Sequence, residues 1–233
     1  MNTPGGNTIS TAEHTFGLML ALARHLPQGD ASLRAGRWDR KNFTGVELKG
    51  KTLGLVGFGR IGQAVAKRAL AFEMRVIAYD PFLDDSIFLA SSVERVDIQE
   101  LYEQADFITL HSPLTDDTHG MINSDAIAFM KDGVRLINAA RGGLINDYDL
   151  AEALKSGKVA GAALDVYVEE PPSSEHPLIG LDKVISTPHL AASTTDAQVT
   201  VSVEAAELVA NALLNNNFDN VVNTAVLRKL AES

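Results

Sequence analysis

The sequence predicts an α/β fold in which a doubly wound parallel sheet is covered by helices. Short apolar segments alternate with helical segments along most of the chain, an order that is typical of parallel sheets. The first regular strand, TLGLVG, leads directly into a glycine-rich turn and a helix. The strands are continuous apolar runs, as strands buried on both faces are.

The elements can be justified in chain order. Ser10 and Glu13 have the spacing of a capping box, so an opening helix is predicted there, buried by its apolar composition and ending near Pro27. A short helix and loops lead from it to Gly50. The remaining predictions are strands at 52–57, 75–79, 107–111, 134–140, 160–166 and 183–187, and helices at 61–72, 124–130, 148–154 (closed by Gly157) and 195–215.

Composition excludes several classes of function. Thirty acidic and twenty basic side chains give a formal charge of −10, which opposes binding to nucleic acid or an anionic membrane. The absence of cysteine excludes disulfides, thiolate catalysis and thiolate metal sites; no metal site is predicted, and redox chemistry needs a bound cofactor. The longest apolar run, 16–23, is shorter than the roughly 20 residues of a membrane span. With no secretory signal pattern either, we expect a cytoplasmic protein.

A dinucleotide site is predicted between the first strand and its helix. Gly57 can make the tight turn, Gly59 lets the backbone approach a pyrophosphate, and Gly62 allows the helix to pack closely. Asp80 ends the second strand, where a carboxylate accepts the ribose hydroxyls and favours NAD over NADP. Alternatively, the glycines serve only a packing turn and Asp80 caps a loop. Other nucleotide users, such as methyltransferases, share parts of this signature.

Three polar residues follow later strands of the predicted sheet. Arg141 comes after a strand and before two glycines, and is suited to clamp a carboxylate. Glu170 precedes two prolines and His189 follows another strand, so the pair predicts a tuned general acid/base. Taken singly, each could be a surface, loop or structural residue. His111, at the end of a strand, is the rival to His189.

Six motifs, taken together, resemble the family of D-isomer-specific 2-hydroxyacid dehydrogenases, and within it most closely the members that act on the 3-phosphoglycerate of serine biosynthesis. They are NTPGGNTISTAEHTFGLMLALARH, VGFGRIG, HSPLTDDTHGMIN, NAARGGLIND, GAALDVYVEEPP and STPHLAAST. The resemblance implies a Rossmann-like NAD-binding domain and hydride transfer. It also implies that Arg141 orients the substrate, Glu170 supports the histidine and His189 exchanges the hydroxyl proton.

The same resemblance implies further contacts to NAD. Besides the three glycines and Asp80, these are Arg60, Ile61, Ser112, Ala139, Ala140, Arg141, Asp165 near the nicotinamide, and the turn from His189 through Ala191 to Ala192. Two positions depart from the usual family pattern. Glu73 stands in AFEM where AFGM is commoner, and Ala191 stands where glycine is frequent.

The resemblance also implies a division of the chain. Residues 1–218 are expected to form the NAD-binding domain, including an N-terminal crossover helix that packs at a dimer interface. Residues 219–233 are expected to begin the return to a substrate domain that the sequence does not include. The expected partners are a small anionic 2-hydroxy or 2-oxo acid and a second copy of the chain. We expect NAD binding with weak turnover from the chain alone.

Two alternatives remain open at this point. One is an NAD-sensing, non-catalytic interaction module, because co-repressors with this fold carry the same arginine, glutamate and histidine. The other keeps the chemistry but changes the substrate to glyoxylate, hydroxypyruvate or D-lactate. The residues that decide between these substrates lie mostly outside the sequence.

Overall fold

The computed structural model describes residues 1–223 and contains one sheet of seven parallel strands. The strands are β1 (Thr52–Val56), β2 (Arg75–Tyr79), β3 (Glu94–Arg95), β4 (Phe107–Leu110), β5 (Val134–Asn138), β6 (Val159–Leu164) and β7 (Val184–Ser186). Their order across the sheet is β3-β2-β1-β4-β5-β6-β7. The chain therefore winds outward in one direction from β1 and in the other from β4, which confirms the predicted doubly wound fold. The crevice above β1 and β4 is the topological switch point, where such sheets bind ligands.

Helices cover both faces of the sheet. They are α1 (Thr8–Arg24), α2 (Leu26–Arg34), a 3₁₀ helix (Arg40–Phe43), α3 (Arg60–Ala71), α4 (Asp85–Ser91), α5 (Ile98–Gln104), α6 (Ser124–Phe129), α7 (Asp147–Ser156) and α8 (Thr195–Asn215). Side chains alternate along each strand, so Leu55 belongs to a buried cluster with α1 and α3, whereas Val56 belongs to a second cluster with α5 and α7. Two cores thus hold the sheet between its helical layers.

The opening helix differs from the prediction at its first turn. Helix α1 begins at Thr8, two residues before the predicted cap, and Asn7 precedes it without a side-chain capping bond. The capping-box prediction is therefore wrong, because the hydroxyl of Ser10 lies inside the helix and donates to the Asn7 carbonyl at 3.0 Å. Glu13 instead accepts a hydrogen bond from Arg68 of α3 at 2.8 Å. Burial of the helix is confirmed, since nine of its residues are buried.

Two other segments depart from the prediction. His25 adopts a left-handed backbone and ends α1, after which Pro27 stands in the first turn of α2 rather than only stopping a helix. Residues 81–106, for which no element was predicted, contain α4, β3 and α5. Helix α5 carries a complete capping box of Asp97 and Glu100, a local signal that sequence reading can detect.

Helix α8 has the predicted bounds and an unexpected surface. Thr194 caps it by accepting from the N–H of Ala197. Val203 and Leu213 are among its exposed apolar side chains. Among residues 1–223 it is the one helix that length and composition alone would allow to cross a membrane, with a mean hydropathy of 1.2 and 6% of the window buried. The expectation of no such segment was drawn from unbroken apolar runs, which the scattered polar residues of α8 interrupt.

Candidate functional site

A groove runs along the carboxyl ends of the central strands. It consists of two adjoining cavities of about 490 and 580 Å³. Both are lined by Gly59, His111, Ser112 and Pro113, which places the two cavities side by side over the switch point between β1 and β4. The groove lies where ligands of doubly wound sheets bind.

The glycine turn shapes the middle of this groove. Gly57 has a φ of 94°, and a Cβ at this position would lie 2.7 Å from the carbonyl carbon of His111. A Cβ at Gly62 would lie 2.5 Å from the Gly57 carbonyl oxygen, so α3 can approach the turn only because this side chain is absent. Gly59 is exposed and has open space where its Cβ would be. The first N–H groups of α3, which have no acceptor within their own helix, thus face a space suited to an anion.

Asp80 stands at the end of β2 beside the glycine turn. Its Oδ2 accepts a hydrogen bond from the N–H of Phe58 at 2.9 Å, and its Oδ1 accepts one from the N–H of Phe82 at 3.0 Å. The carboxylate lines the 490 Å³ cavity with Tyr79 and Met121. Each carboxylate oxygen can accept a second hydrogen bond, as a ribose diol would require.

A tight turn after β5 presents Arg141. The buried side chain of Asn138 holds this turn, since its amide donates to the Arg141 carbonyl at 2.9 Å and its oxygen accepts from the Ala140 N–H at 3.0 Å. Within residues 1–223, the Arg141 guanidinium bonds only the Ala140 carbonyl, at 2.6 Å. A Cβ at Gly142 would lie 2.0 Å from the carbonyl oxygen of Tyr167, so the glycine allows the turn to pack on the segment that leads to Glu170.

Glu170 and His189 form a hydrogen-bonded pair. Nδ1 of His189 lies 2.7 Å from Oε2 of Glu170, whose Oε1 accepts from the N–H of Tyr167 at 3.1 Å. The bond from His189 is the largest cause that lowers the pKa of Glu170, so the carboxylate is ionised near neutral pH. An ionised carboxylate only accepts, so Nδ1 carries the hydrogen. In the neutral ring this leaves the lone pair on Nε2, the form that a general base requires.

His111, the rival to His189, has a different environment. Its ring lies under the glycine turn, and its Nε2 lies 3.2 Å from the hydroxyl of Thr109. Burial lowers the pKa of His111 to about 4. A base this weak is poorly matched to proton transfer near neutral pH. The half-exposed His189 is the better candidate.

The remaining predicted cofactor residues divide into two groups. One group lines the 580 Å³ cavity: Arg60, Ile61, Ser112, Ala139, Ala140, Arg141, His189, Ala191 and Ala192. Asp165 is outside that group, because its side chain is fully buried and bonds protein groups beneath the turn that carries His189. Its contact with a cofactor stays a prediction.

Sequence reasoning missed part of the cavity wall. Asn2, Thr3, Pro4, Asn7 and Thr11 line the same cavity as Arg141 and His189. They lie in the motif NTPGGNTISTAEHTFGLMLALARH, but no site role was predicted for them, because only the packing of α1 across the sheet brings this segment to the site.

The family model described as "D-isomer specific 2-hydroxyacid dehydrogenase, NAD binding domain" matches residues 16–191. The chain belongs to this family. It is 51% identical to D-3-phosphoglycerate dehydrogenase of Archaeoglobus fulgidus over 96% of the chain and 42% of that protein. It is 51% identical to hydroxypyruvate reductase of Thermotoga maritima over 90% of the chain and 68% of that protein. The structure of D-lactate dehydrogenase from Aquifex aeolicus complexed with NAD and lactic acid matches with a TM-score of 0.83 at 32% identity, covering 94% and 70% of the two chains.

The chain spans less than half the length of the phosphoglycerate dehydrogenases it matches. What it contains is the NAD-binding domain of the family. The residues of the groove fit NAD, because a helix N-terminus without side chains at Gly59 suits the pyrophosphate and the Asp80 carboxylate suits the ribose.

Proposed function

We propose that the protein transfers a hydride between C2 of a D-2-hydroxy acid and NAD, with Arg141, Glu170 and His189 as its catalytic residues. The 2.7 Å contact between His189 and Glu170 carries this proposal, because it sets an ionised carboxylate and a general base beside the cavity that Arg141 also lines. NAD, when bound, supplies the acceptor for the hydride.

The chain's own residues account for the proton and the charges. Nε2 of His189 takes the proton of the substrate hydroxyl as the carbonyl forms, and the imidazolium is stabilised by Glu170 through Nδ1. The exposed guanidinium of Arg141 holds the substrate carboxylate, for which its fork of N–H donors is suited.

We propose 3-phosphoglycerate as the substrate, because relatives of that activity match nearly the whole chain at about half identity. Hydroxypyruvate, glyoxylate and D-lactate are the competing substrates, since proteins named for them also match. Oxidation of 3-phosphoglycerate, glycerate, glycolate and D-lactate with NAD⁺ tests the choice. A larger kcat/KM for any of the other three would overturn it.

We further propose that residues 1–218 are the NAD-binding domain and residues 219–233 lead toward a substrate domain, of which 224–233 lie outside the described residues. The matched phosphoglycerate dehydrogenases are more than twice as long, so we expect efficient turnover to require that further domain. A homodimer is proposed, because Leu33 and Trp38, with 61% and 81% of their surface exposed, are apolar positions that a second copy would cover. Sedimentation equilibrium tests the dimer. A cytoplasmic location is proposed because the matched relatives are metabolic enzymes.

Neighbouring glutamates offer a matched test of the catalytic assignment. Glu170→Gln should lower kcat by about 100-fold, because the imidazolium loses its counter-charge, while NADH binding stays near wild type. Glu169→Gln is the control, since Glu169 is exposed and forms no side-chain hydrogen bond among residues 1–223. Equal rates for the two variants would rule out the proposed role of Glu170. A peptide partner whose affinity for the chain depends on NADH would instead favour an NAD-sensing module.

A further inference from the structure

A buried hydrogen-bond cluster joins the first helix to the turn that carries His189. Nε2 of His14, on α1, lies 3.1 Å from Oδ1 of Asp165 and 3.3 Å from the hydroxyl oxygen of Thr187. The side chain of Asp165 is 0% exposed and that of His14 is 22% exposed. Asp165 follows β6 and Thr187 follows β7, so α1 is tied to the ends of two strands at the edge of the candidate site.

The partners of His14 determine which of its ring nitrogens carries a hydrogen. The Thr187 hydroxyl donates its hydrogen to Oδ1 of Asp165 at 2.6 Å, so its oxygen can only accept from His14. The carboxylate of Asp165 also only accepts. A lone pair on Nε2 would face two acceptors, so Nε2 carries the hydrogen and donates to both.

Asp165 in turn holds the turn that carries His189. Its Oδ1 accepts from the N–H of Leu190 at 2.7 Å, and its Oδ2 accepts from the N–H of Ala191 at 2.9 Å. Its backbone carbonyl accepts from the N–H of His189 at 2.9 Å. His189 has a φ of 52°, a left-handed conformation that a side chain disfavours. Such a backbone persists only when its surroundings fix it, and Asp165 supplies three of the bonds that do so.

The electrostatics of Asp165 agree with this arrangement. Burial alone would raise its pKa, but the hydrogen bonds from His14, Thr187, Leu190 and Ala191 together lower it below the usual value. The carboxylate is therefore ionised and depends on every donor around it, because an unmatched buried charge is costly.

We propose that His14 is a positioning residue for the dehydrogenase reaction. Its Nε2–H fixes the Asp165 carboxylate, which fixes the turn, which aims the His189 ring at Glu170 on one side and at the substrate cavity on the other. The inference rests on the function proposed above. His14 does not touch the cavity that the cofactor residues line, so it acts through Asp165 and Thr187.

Three substitutions on α1 separate this role from simple packing. His14→Leu removes the donor while filling the space, and His14→Gln restores an N–H close to the position of Nε2. Glu13→Gln is the control, because Glu13 joins α1 to Arg68 of α3 and not to the turn. If His14→Leu does not fold, His14→Asn replaces it, since the shorter amide cannot reach Asp165.

The first readout needs no turnover. Amide hydrogen exchange at Leu190 and Ala191 should be about fivefold to tenfold faster in His14→Leu, because Asp165 loses a partner. It should stay at the wild-type rate in Glu13→Gln and return toward that rate in His14→Gln. Unchanged exchange in His14→Leu would overturn the proposal, and this result stands even if the wild-type protein oxidises no 2-hydroxy acid and the proposed function fails.

The second readout is the division between kcat and KM in the dehydrogenase assay. His14→Leu should lower kcat by about 10-fold to 100-fold, the cost of a misplaced catalytic group. The KM for NADH should change by less than about threefold, because the glycine turn and Asp80 are held by other bonds. Recovery of kcat in His14→Gln completes the expected result. Equal losses in both His14 variants would show that the ring only packs.

Discussion

The carboxylate of Asp80 is tied to the glycine turn through the N–H of Phe58, which its Oδ2 accepts at 2.9 Å. This bond crosses from the end of β2 to the turn after β1. The bond therefore fixes the carboxylate that is proposed to bind the ribose relative to the backbone that is proposed to bind the pyrophosphate.

Asp80→Asn should weaken NADH binding by about tenfold, since one charge-assisted hydrogen bond is worth about 1.4 kcal/mol. The affinity for NADPH should rise relative to that for NADH, because the substitution removes the negative charge that repels a 2′-phosphate. Fluorescence titration with both cofactors measures the ratio. Asp84→Asn, an exposed change in the same loop, is the control and should leave both affinities unchanged. An unaltered ratio in Asp80→Asn would contradict the assignment of Asp80.

Gly142→Ala should destabilise the protein by about 1 to 3 kcal/mol, the cost of forcing a methyl group into a packed site. The added Cβ would lie 2.0 Å from the Tyr167 carbonyl oxygen, and backbone cannot move aside as a flexible side chain can. Gly17→Ala on α1 is the matched change, since nothing lies within 4 Å of its Cβ, and it should stabilise by up to about 1 kcal/mol. Urea unfolding compares them. A Gly142→Ala protein as stable as wild type would show that the backbone at Tyr167 moves to accommodate the added methyl group.

Glu73→Gly should raise the free energy of unfolding by about 1 kcal/mol. Glu73 has a φ of 58°, a conformation that glycine adopts without cost. This conformation suits the glycine that the resemblance to the family implies at this position. The substitution also removes the ion pair with Lys49, but both side chains are about two-thirds exposed, and such pairs contribute little. Lys49→Gln removes the same ion pair and leaves the backbone of Glu73 unchanged; a Glu73→Gly protein no more stable than Lys49→Gln would refute the strain argument.

His111 should remain neutral down to about pH 4 in the folded protein. Its pKa is lowered by burial from the ordinary 6.5, so the unfolded chain takes up the proton first as the pH falls. The stability that neutral His111 contributes is therefore fully present above about pH 6.5 and is lost as the pH falls from about 6.5 to about 4. NMR titration of the imidazole signals measures the pKa of His111. The signal of His111 is identified as the one that is absent in His111→Gln. A His111 signal that titrates near pH 6.5 would contradict the burial argument.

The parts of the fold and site that sequence predicted are those with local signals. Gly57 and Asp80 each lie within a few residues of a strand end, so chain order alone sets their neighbours. In residues 81–106 no element was predicted, because the helices are short and the strand has only two residues, although the capping box of α5 is itself a local signal. The hydrogen bonds by which Asn138 and Asp165 hold their turns were not predicted, because the partners of a buried polar side chain are defined only once the strands are packed. The exposed apolar face of α8 could not be predicted either, since the sequence does not show whether an apolar residue is covered by another part of the protein.

The left-handed backbone of His189 restricts which amino acids this position accepts, before any chemistry is considered. Asparagine and aspartate tolerate such a conformation best among residues with side chains, whereas β-branched residues are outliers there. In a library of all substitutions at 189, valine, isoleucine and threonine would lose stability as well as the base, so their low activity would have two causes. Asparagine would instead yield a folded protein without its base, so it is the substitution that reports on proton transfer alone.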